Sequence, residues 1–390
     1  MNCKELTTFL QKVLDKKGMI YDPQDGQLGD VQELIDEIEK VFKEETPYNR
    51  NIRFRLKLAE QIGLMTYVGD FHDGWALAKD QLGNLMYVNK EGEFLKGENG
   101  EVIIPSSGDR FSEGLAAVID KNALKFLKPD GSFLAGEFSG RTSDITFHRF
   151  SNGLARVEIE DTKKYFLKSD GNLLDLGDLY SYVGKMSVEG LARFMKKTTG
   201  EQGFINKRGN HWSRLPIPPE NILSVTSFSE GFAAVSHKNI FDSKVWWSFI
   251  DDTGNFYRNE FRETHLDGEE IEAMDSLNCG WFKCVYEGGL RYGYINLAGE
   301  SLKTEDGIGT FTLSSDFCEG LARVFVKNDL GLYVMRFIDV QGKYLRDDEG
   351  NICEFTKAED FDDGLAKVTF DNGEQFYLTK TGELVQFGKQ

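Results

Sequence analysis

The octet FSEGLAAV at residues 111–118 returns as FSNGLARV at 150–157, FSEGFAAV at 228–235, FCEGLARV at 317–324 and FDDGLAKV at 361–368. Its glycine serves as an anchor. It recurs as Gly74, Gly114, Gly153, Gly190, Gly231, Gly280, Gly320 and Gly364, at steps of 40, 39, 37, 41, 49, 40 and 44 residues. Eight copies near one 40-residue period mark a tandem repeat.

Each position around the anchor has its own chemistry. Three residues before it stands a large apolar side chain: Phe71, Phe111, Phe150, Phe228, Leu277, Phe317 or Phe361, with Met186 shifted to four before in the fourth copy. The residue just before is usually Asp, Glu or Asn, a turn signature with glycine. Two after the anchor is Ala in seven copies and Phe282 in the sixth. A second glycine follows 17 to 23 residues on, and five before it an aromatic stands in every copy, from Tyr87 and Phe126 to Phe337 and Tyr377. Stretches such as FLKPDG, FINKRG and YINLAG read as a strand entering a tight glycine turn.

One copy therefore reads as three or four short strands, a unit too small to stand alone but able to share a core with stacked neighbours. Strand residues alternate faces. The Ala and Val of GLARV lie on one face, expected to meet the next unit closely. Leu and Lys/Arg lie on the other, where Arg323 is expected to matter little. The expected fold is an all-β array of eight units over residues 66–390, either β-propeller-like or an open β-solenoid. Before it, residues 1–65 read as a small helical unit. Leu6, Phe9, Leu10, Val13 and Leu14 form one apolar stripe, and Val31, Leu34, Ile35, Ile38, Val41 and Phe42 another. NIRFRLKLAEQIG suits a third helix or a strand.

The Phe-x-Glu-Gly-Leu-Ala-x-Val pattern, followed by an aromatic-Ile/Leu stretch and glycine, resembles the WG-repeat (KWG-repeat) family of tandem β-repeats. The Trp-Gly pair itself survives only in part, as Gly203, Gly293 and Trp247. The resemblance implies architecture and places no catalytic residue.

The formal net charge is −18. Residues 1–65 hold 10 Lys+Arg against 12 Asp+Glu, so most of the excess lies on the repeats. Such a surface repels phosphate backbones and anionic lipid, which argues against nucleic acid and membrane as partners. Cys3, Cys279, Cys284, Cys318 and Cys353 show no metal-knuckle or redox spacing and read as reduced structural thiols. The opening MNCKELTTFLQ has no signal-peptide pattern, so a cytoplasmic location is expected, non-classical secretion remaining open.

The five histidines fall at unrelated repeat positions, so neither a metal nor another cofactor is expected. Ser112, Ser151 and Ser229, and Glu113, Glu230 and Glu319, read as turn residues, and no catalytic residue is assigned. Function is then expected from departures from the repeat. The fifth copy has 23 residues between its glycines and the seventh 22, and the longest inter-unit segment runs from Gly254 to Gly280. Trp246, Trp247, Tyr257 and Phe261 lie near the fifth-copy excursions and are the candidate partner-binding residues. The expected function is a non-catalytic protein-binding or scaffolding module. The alternative is a carbohydrate-binding or carbohydrate-active protein whose aromatics and acids line a cleft. Oligomeric state stays open.

Reductant is expected to leave thermal stability unchanged. A large fall in melting temperature on adding a thiol reductant would reveal a stabilising disulfide.

Overall fold

The computed structural model describes residues 47–63, 66–134, 138–139, 145–159, 163–238, 245–261, 264–265 and 269–387. The two apolar stripes at 1–42 lie outside the described residues. The chain divides into two compact units, Met1–Lys57 and Leu58–Gln390. The stretch open between helix and strand belongs to a helix, Pro47–Gln61, whose Arg- and Leu-containing interior is free of glycine and which stops before Gly63.

The opening octet is a hairpin. Ser112 and Leu115 exchange backbone hydrogen bonds of 2.9 and 3.2 Å across Glu113-Gly114. Both turn residues are left-handed, with φ +54° at Glu113 and +77° at Gly114. This mirror-image turn follows the natural twist of the strands it joins, and glycine takes its second position without steric cost. Asp73, Asn152, Glu230, Cys279, Glu319 and Asp363 are left-handed in the same place. The fourth copy differs because Ser187 pairs with Leu191 around a three-residue loop, Val188-Glu189-Gly190. The extra residue pushes Met186 one place back.

Each repeat is one small antiparallel meander. Repeat 2 runs Ser107–Gly108, Ala116–Asp120, Ala123–Leu127 and Phe138–Ser139, and repeat 5 runs Ile222–Val225, Phe232–Lys238, Val245–Asp251 and Phe256–Phe261. The long segment after Gly254 contributes this last strand and a separate small hairpin, Thr264–His265 with Glu269–Glu270.

The sheets stack through the two aromatic positions seen in the sequence. The ring five before the second glycine meets the ring three before the next anchor: Tyr87 with Phe111 at 5.2 Å, Phe126 with Phe150 at 5.4 Å, Phe204 with Phe228 at 4.7 Å, Tyr294 with Phe317 at 5.0 Å and Phe337 with Phe361 at 4.9 Å. Most of these pairs are tilted or edge-on, the arrangement ring quadrupoles favour. The Ala–Val face joins the same cores, but against the preceding repeat rather than the next. Ala155 and Val157 of repeat 3 pack with Leu115, Leu124 and Phe126 of repeat 2. Leu154, on the other face, packs with Tyr180 and Val183 of repeat 4. The anchor-plus-two alanines are all buried, and Phe282 fills that place by stacking on Phe249 at 4.5 Å.

The residue before the anchor also links repeats. Glu113 accepts hydrogen bonds from the Asn152 and Gly153 amides at 2.8 and 2.7 Å, and Glu230 from Cys279 and Gly280 at 2.6 and 2.9 Å. Asp73 accepts from Gly114, Glu189 from Gly231, and Glu319 from Gly364. Asn152 instead donates to the Val188 carbonyl at 2.9 Å.

The array closes on itself. Asp363 of repeat 8 accepts the Asp70 amide at 3.1 Å and meets His72 Nε2 at 2.8 Å, both in repeat 1. Beside them the Tyr67 ring lies 5.4 Å from Tyr377 and 5.9 Å from Phe387. Of the two architectures open in the sequence, the repeats thus form the propeller-like ring of separate sheets. Contacts between non-neighbouring repeats come from residues just before the anchors. Arg110 of repeat 2 bonds Asp362 and Asp363, and Arg149 of repeat 3 lies 3.9 Å from Asp362. The first strands therefore face the ring axis.

Ala116→Phe and Ala322→Phe should each destabilise the protein by about 1–3 kcal/mol through overpacking. Glu230→Ala should cost about 1 kcal/mol, the scale of one net hydrogen bond. Thermal melts decide: negligible shifts for both alanine variants would show that the interfaces have spare room.

Candidate interaction surface

Strand alternation separates the aromatics singled out from sequence. Trp246 and Trp247 are consecutive, so they point to opposite faces of the third strand of repeat 5. Trp247 shares the face of Phe249, is 3% exposed and packs with Met274, Leu277 and Phe282 of repeat 6. Its Nε1–H donates to the Ile271 carbonyl at 3.3 Å. This corrects the sequence expectation: Trp247 fills an inter-repeat core and offers nothing to a partner. Trp246 is half-buried. Tyr257 is 58% exposed, its ring edge-on to Phe232 at 5.0 Å. Phe261 pairs with Trp247 through the backbone, and its side chain lies outside the described residues.

The meander gives the ring two unlike sides. Its first and third turns, both containing the repeated glycines, fall on one side. The tips joining second and third strands fall on the other. On the turn side the backbone is tightly matched. A Cβ at Gly131 would sit 1.9 Å from the Lys96 carbonyl of repeat 1, so only glycine fits there. The tips carry the exposed aliphatics Leu82, Val245, Leu290, Leu330 and Leu332, and on the turn side Val188 of the fourth anchor loop is exposed as well.

Repeat 7 is the extreme case. Its second and third strands, Leu321–Lys327 and Tyr333–Asp339, are seven residues each. The added length seen in the sequence thus becomes a longer hairpin. Leu330, Leu332 and Tyr333 at its tip are 82%, 60% and 52% exposed, with exposed Leu313 on the neighbouring segment. Tyr333 stacks on Phe325 at 5.2 Å, and the Lys327 ammonium lies 5.2 Å from the Tyr333 ring. The sequence signal was the spacing of 22 between glycines. The fifth copy carries a similar spacing, 23, together with two tryptophans.

Around the axis, charges are paired between repeats. Arg323 donates to Asp360 at 2.6 and 3.1 Å and to the Ala358 carbonyl at 2.5 Å. The expectation that Arg323 matters little is therefore corrected. The basic residue three after the anchor reaches the first strand of the next repeat. Arg193 does the same toward Val225, and Lys283 toward Asp316. Burial, with Asp275 and Asp360 nearby, holds Asp316 above the ordinary carboxylate range against the pull of Lys283.

Asp70, His72 and Asp363 bring three potential metal-ligand atoms within 4.8 Å of one another. The chemistry of the group points elsewhere. Asp363 already receives the Arg110 guanidinium and His72, and a cation there would meet that guanidinium. The cluster works as the clasp between repeats 8 and 1.

The buried thiols offer little nucleophilicity, since burial pushes Cys353 up to about 11 and Cys284 higher still. A cleft of about 430 Å³ between repeats 8 and 1 has Phe376, Tyr377 and Phe387 in its wall, and Asp80 is its single acid. It lacks the facing carboxylate pair that glycoside hydrolysis requires. Among the described residues no helix is long and apolar enough to cross a membrane.

No protein-family model and no curated protein matches the chain. Solved structures do. The Dos1 propeller is 12% identical with a TM-score of 0.44, covering 83% of this chain and 96% of its own. Apo AztD from Citrobacter koseri is 11% identical with a TM-score of 0.43, covering 82% and 92%. The computationally designed Ika8 protein is 14% identical with a TM-score of 0.39, covering 81% and 96%. These are likenesses of fold alone, and the ring described above stands on its own contacts.

Burial by itself would raise the Asp363 pKa. The His72 hydrogen bond, the Arg110 charge and the Asp70 amide outweigh it and hold the carboxyl below its ordinary value. A depressed pKa stabilises the folded state above the unfolded value, near 3.9, and that stability is lost as pH falls through the folded value. Asp363→Asn should therefore lower stability at pH 7 by about 3 kcal/mol, the cost of breaking a buried pair. It should also flatten the acid limb of the melting-temperature profile below about pH 4. An unchanged acid limb would remove Asp363 from the clasp. Arg323→Ala should destabilise measurably in the same melts.

Proposed function

We propose that this chain is a non-catalytic protein-binding scaffold, an array of divergent WG-type repeats that engages its partner on the side of the hairpin tips. The observation carrying this reading is the cluster of exposed apolar side chains on the long hairpin of repeat 7, Leu330, Leu332 and Tyr333. Exposed apolar side chains on a charged surface favour association. Tyrosine with a rigid ring neighbour makes a strong contact point at small entropic cost. The ring below supplies rigidity, because much of the acid on the turn side is already spent on linking repeats. The partner is a protein with an apolar cleft that receives the Leu330–Tyr333 tip.

A variant combining Leu330→Ser, Leu332→Ser and Tyr333→Ala should keep its melting temperature, since all three side chains project from the ring. It should lose its partner more than tenfold in quantitative pull-down, the scale of a hot-spot loss. Loss of the same partner from Tyr257→Ala alone would move the contact to repeat 5. Retention by both variants would overturn the scaffold reading.

A further inference from the structure

The axial wall built by repeats 3 and 4 is cationic in a chain whose formal net charge is −18. At its centre is Tyr182, in the first strand of repeat 4. Two guanidiniums lie against its ring, Arg156 at 5.4 Å and Arg193 at 4.7 Å. They come from different repeats: Arg156 from the second strand of repeat 3, Arg193 from that of repeat 4. Lys185, exposed, follows the end of that strand and lies near enough to His148, the hydrogen-bond partner of Arg156, for its charge to act on the imidazole.

The anions present, Glu158 and the Asp109 carboxylate already bound by Arg149, do not match this charge. Arg156 is nine-tenths buried and donates to His148 Nε2 at 3.0 Å and to Glu158. Glu158 divides itself between two cations, since Lys164 Nζ lies 2.7 Å from its other oxygen. The Nε of Arg156 is buried without a hydrogen-bond partner. His148 accepts from Arg156 and so brings no negative charge. Burial first, then Arg156 and Lys185, push its pKa below the ordinary value. Arg193 spends one Nη on the Val225 carbonyl at 2.9 Å. A buried charge without a full counter-charge is costly, and like charges gathered round one ring repel unless an anion joins them. Arginine forks suit a planar or tetrahedral oxyanion.

We propose that this wall binds an oxyanion-bearing ligand, a phosphate or a carboxylate group, with Lys185, Arg193 and the Tyr182 hydroxyl as direct donors and Arg156 as the positive charge behind them. The site is independent of the repeat 7 hairpin, so either assignment can fail alone.

Isothermal titration of the full chain at low salt with inorganic phosphate, and separately with citrate, tests the site and tells the two chemistries apart. Saturable binding of either probe is expected, weakened about tenfold by Lys185→Ala, the loss of one charge-assisted hydrogen bond. Lys185 is exposed, so this variant reports binding without endangering the fold. Arg193→Gln should weaken binding further, with its melting temperature recorded alongside. Lys343→Ala, on an exposed turn of repeat 7, should leave binding unchanged. The proposal is overturned if neither probe saturates, or if Lys343→Ala weakens binding as much as Lys185→Ala.

Discussion

One left-handed acidic residue per turn both shapes and links much of this ring. Side chains other than glycine resist positive φ, and Asp, Asn and Glu accept it here beside a glycine that resists nothing. That conformation aims the carboxylate at the amides of the following turn, as Glu113 and Glu230 show. In the two-residue turns geometry and inter-repeat linkage are thus one constraint, while Glu189 reaches the Gly231 amide from the longer fourth loop without a left-handed backbone. Where the acid is missing, at Cys279, the junction of repeats 6 and 7 is held by other groups. Trp281 Nε1–H donates to the Val340 carbonyl at 3.1 Å, and Lys283 reaches Asp316.

The hydrophobic part of the fold was legible because its signals are periodic. The anchor glycine, the preceding large apolar residue and the aromatic before the second glycine recur at fixed or nearly fixed offsets, and inside the array each keeps its role from one interface to the next. The side to which the Ala face turns was not legible. Alternation tells which residues share a face, but not which neighbour that face meets. Arg323 shows the same limit for charge. A basic residue between Ala and Val on a short strand reads as solvent-facing, yet the next repeat's first strand lies within its reach.

Closure was illegible for a related reason. It depends on contacts between residues nearly 300 positions apart, such as Asp70 with Asp363. In its own copy Asp363 looks like an ordinary Asp-Gly turn residue. Its special character comes from meeting a histidine and an arginine of repeats 1 and 2. The candidate surface was half legible. Insertions did mark the protruding hairpins, but tryptophan content pointed to repeat 5, where Trp247 proved to be packing.

The clasp also bears on how such a protein could change by duplication. Inside the array, turns largely speak to their successors in one vocabulary of carboxylate and amide, so one internal copy could stand in for another. Asp363 is different, because its partners are His72 and Arg110 and not simply the next turn's amides. A chain that gained or lost an internal repeat would still bring Asp363 to His72 only if the ring re-closed at a new circumference. The count of eight is thus written into the meeting of the two ends, and drift in repeat number would have to rewrite both together.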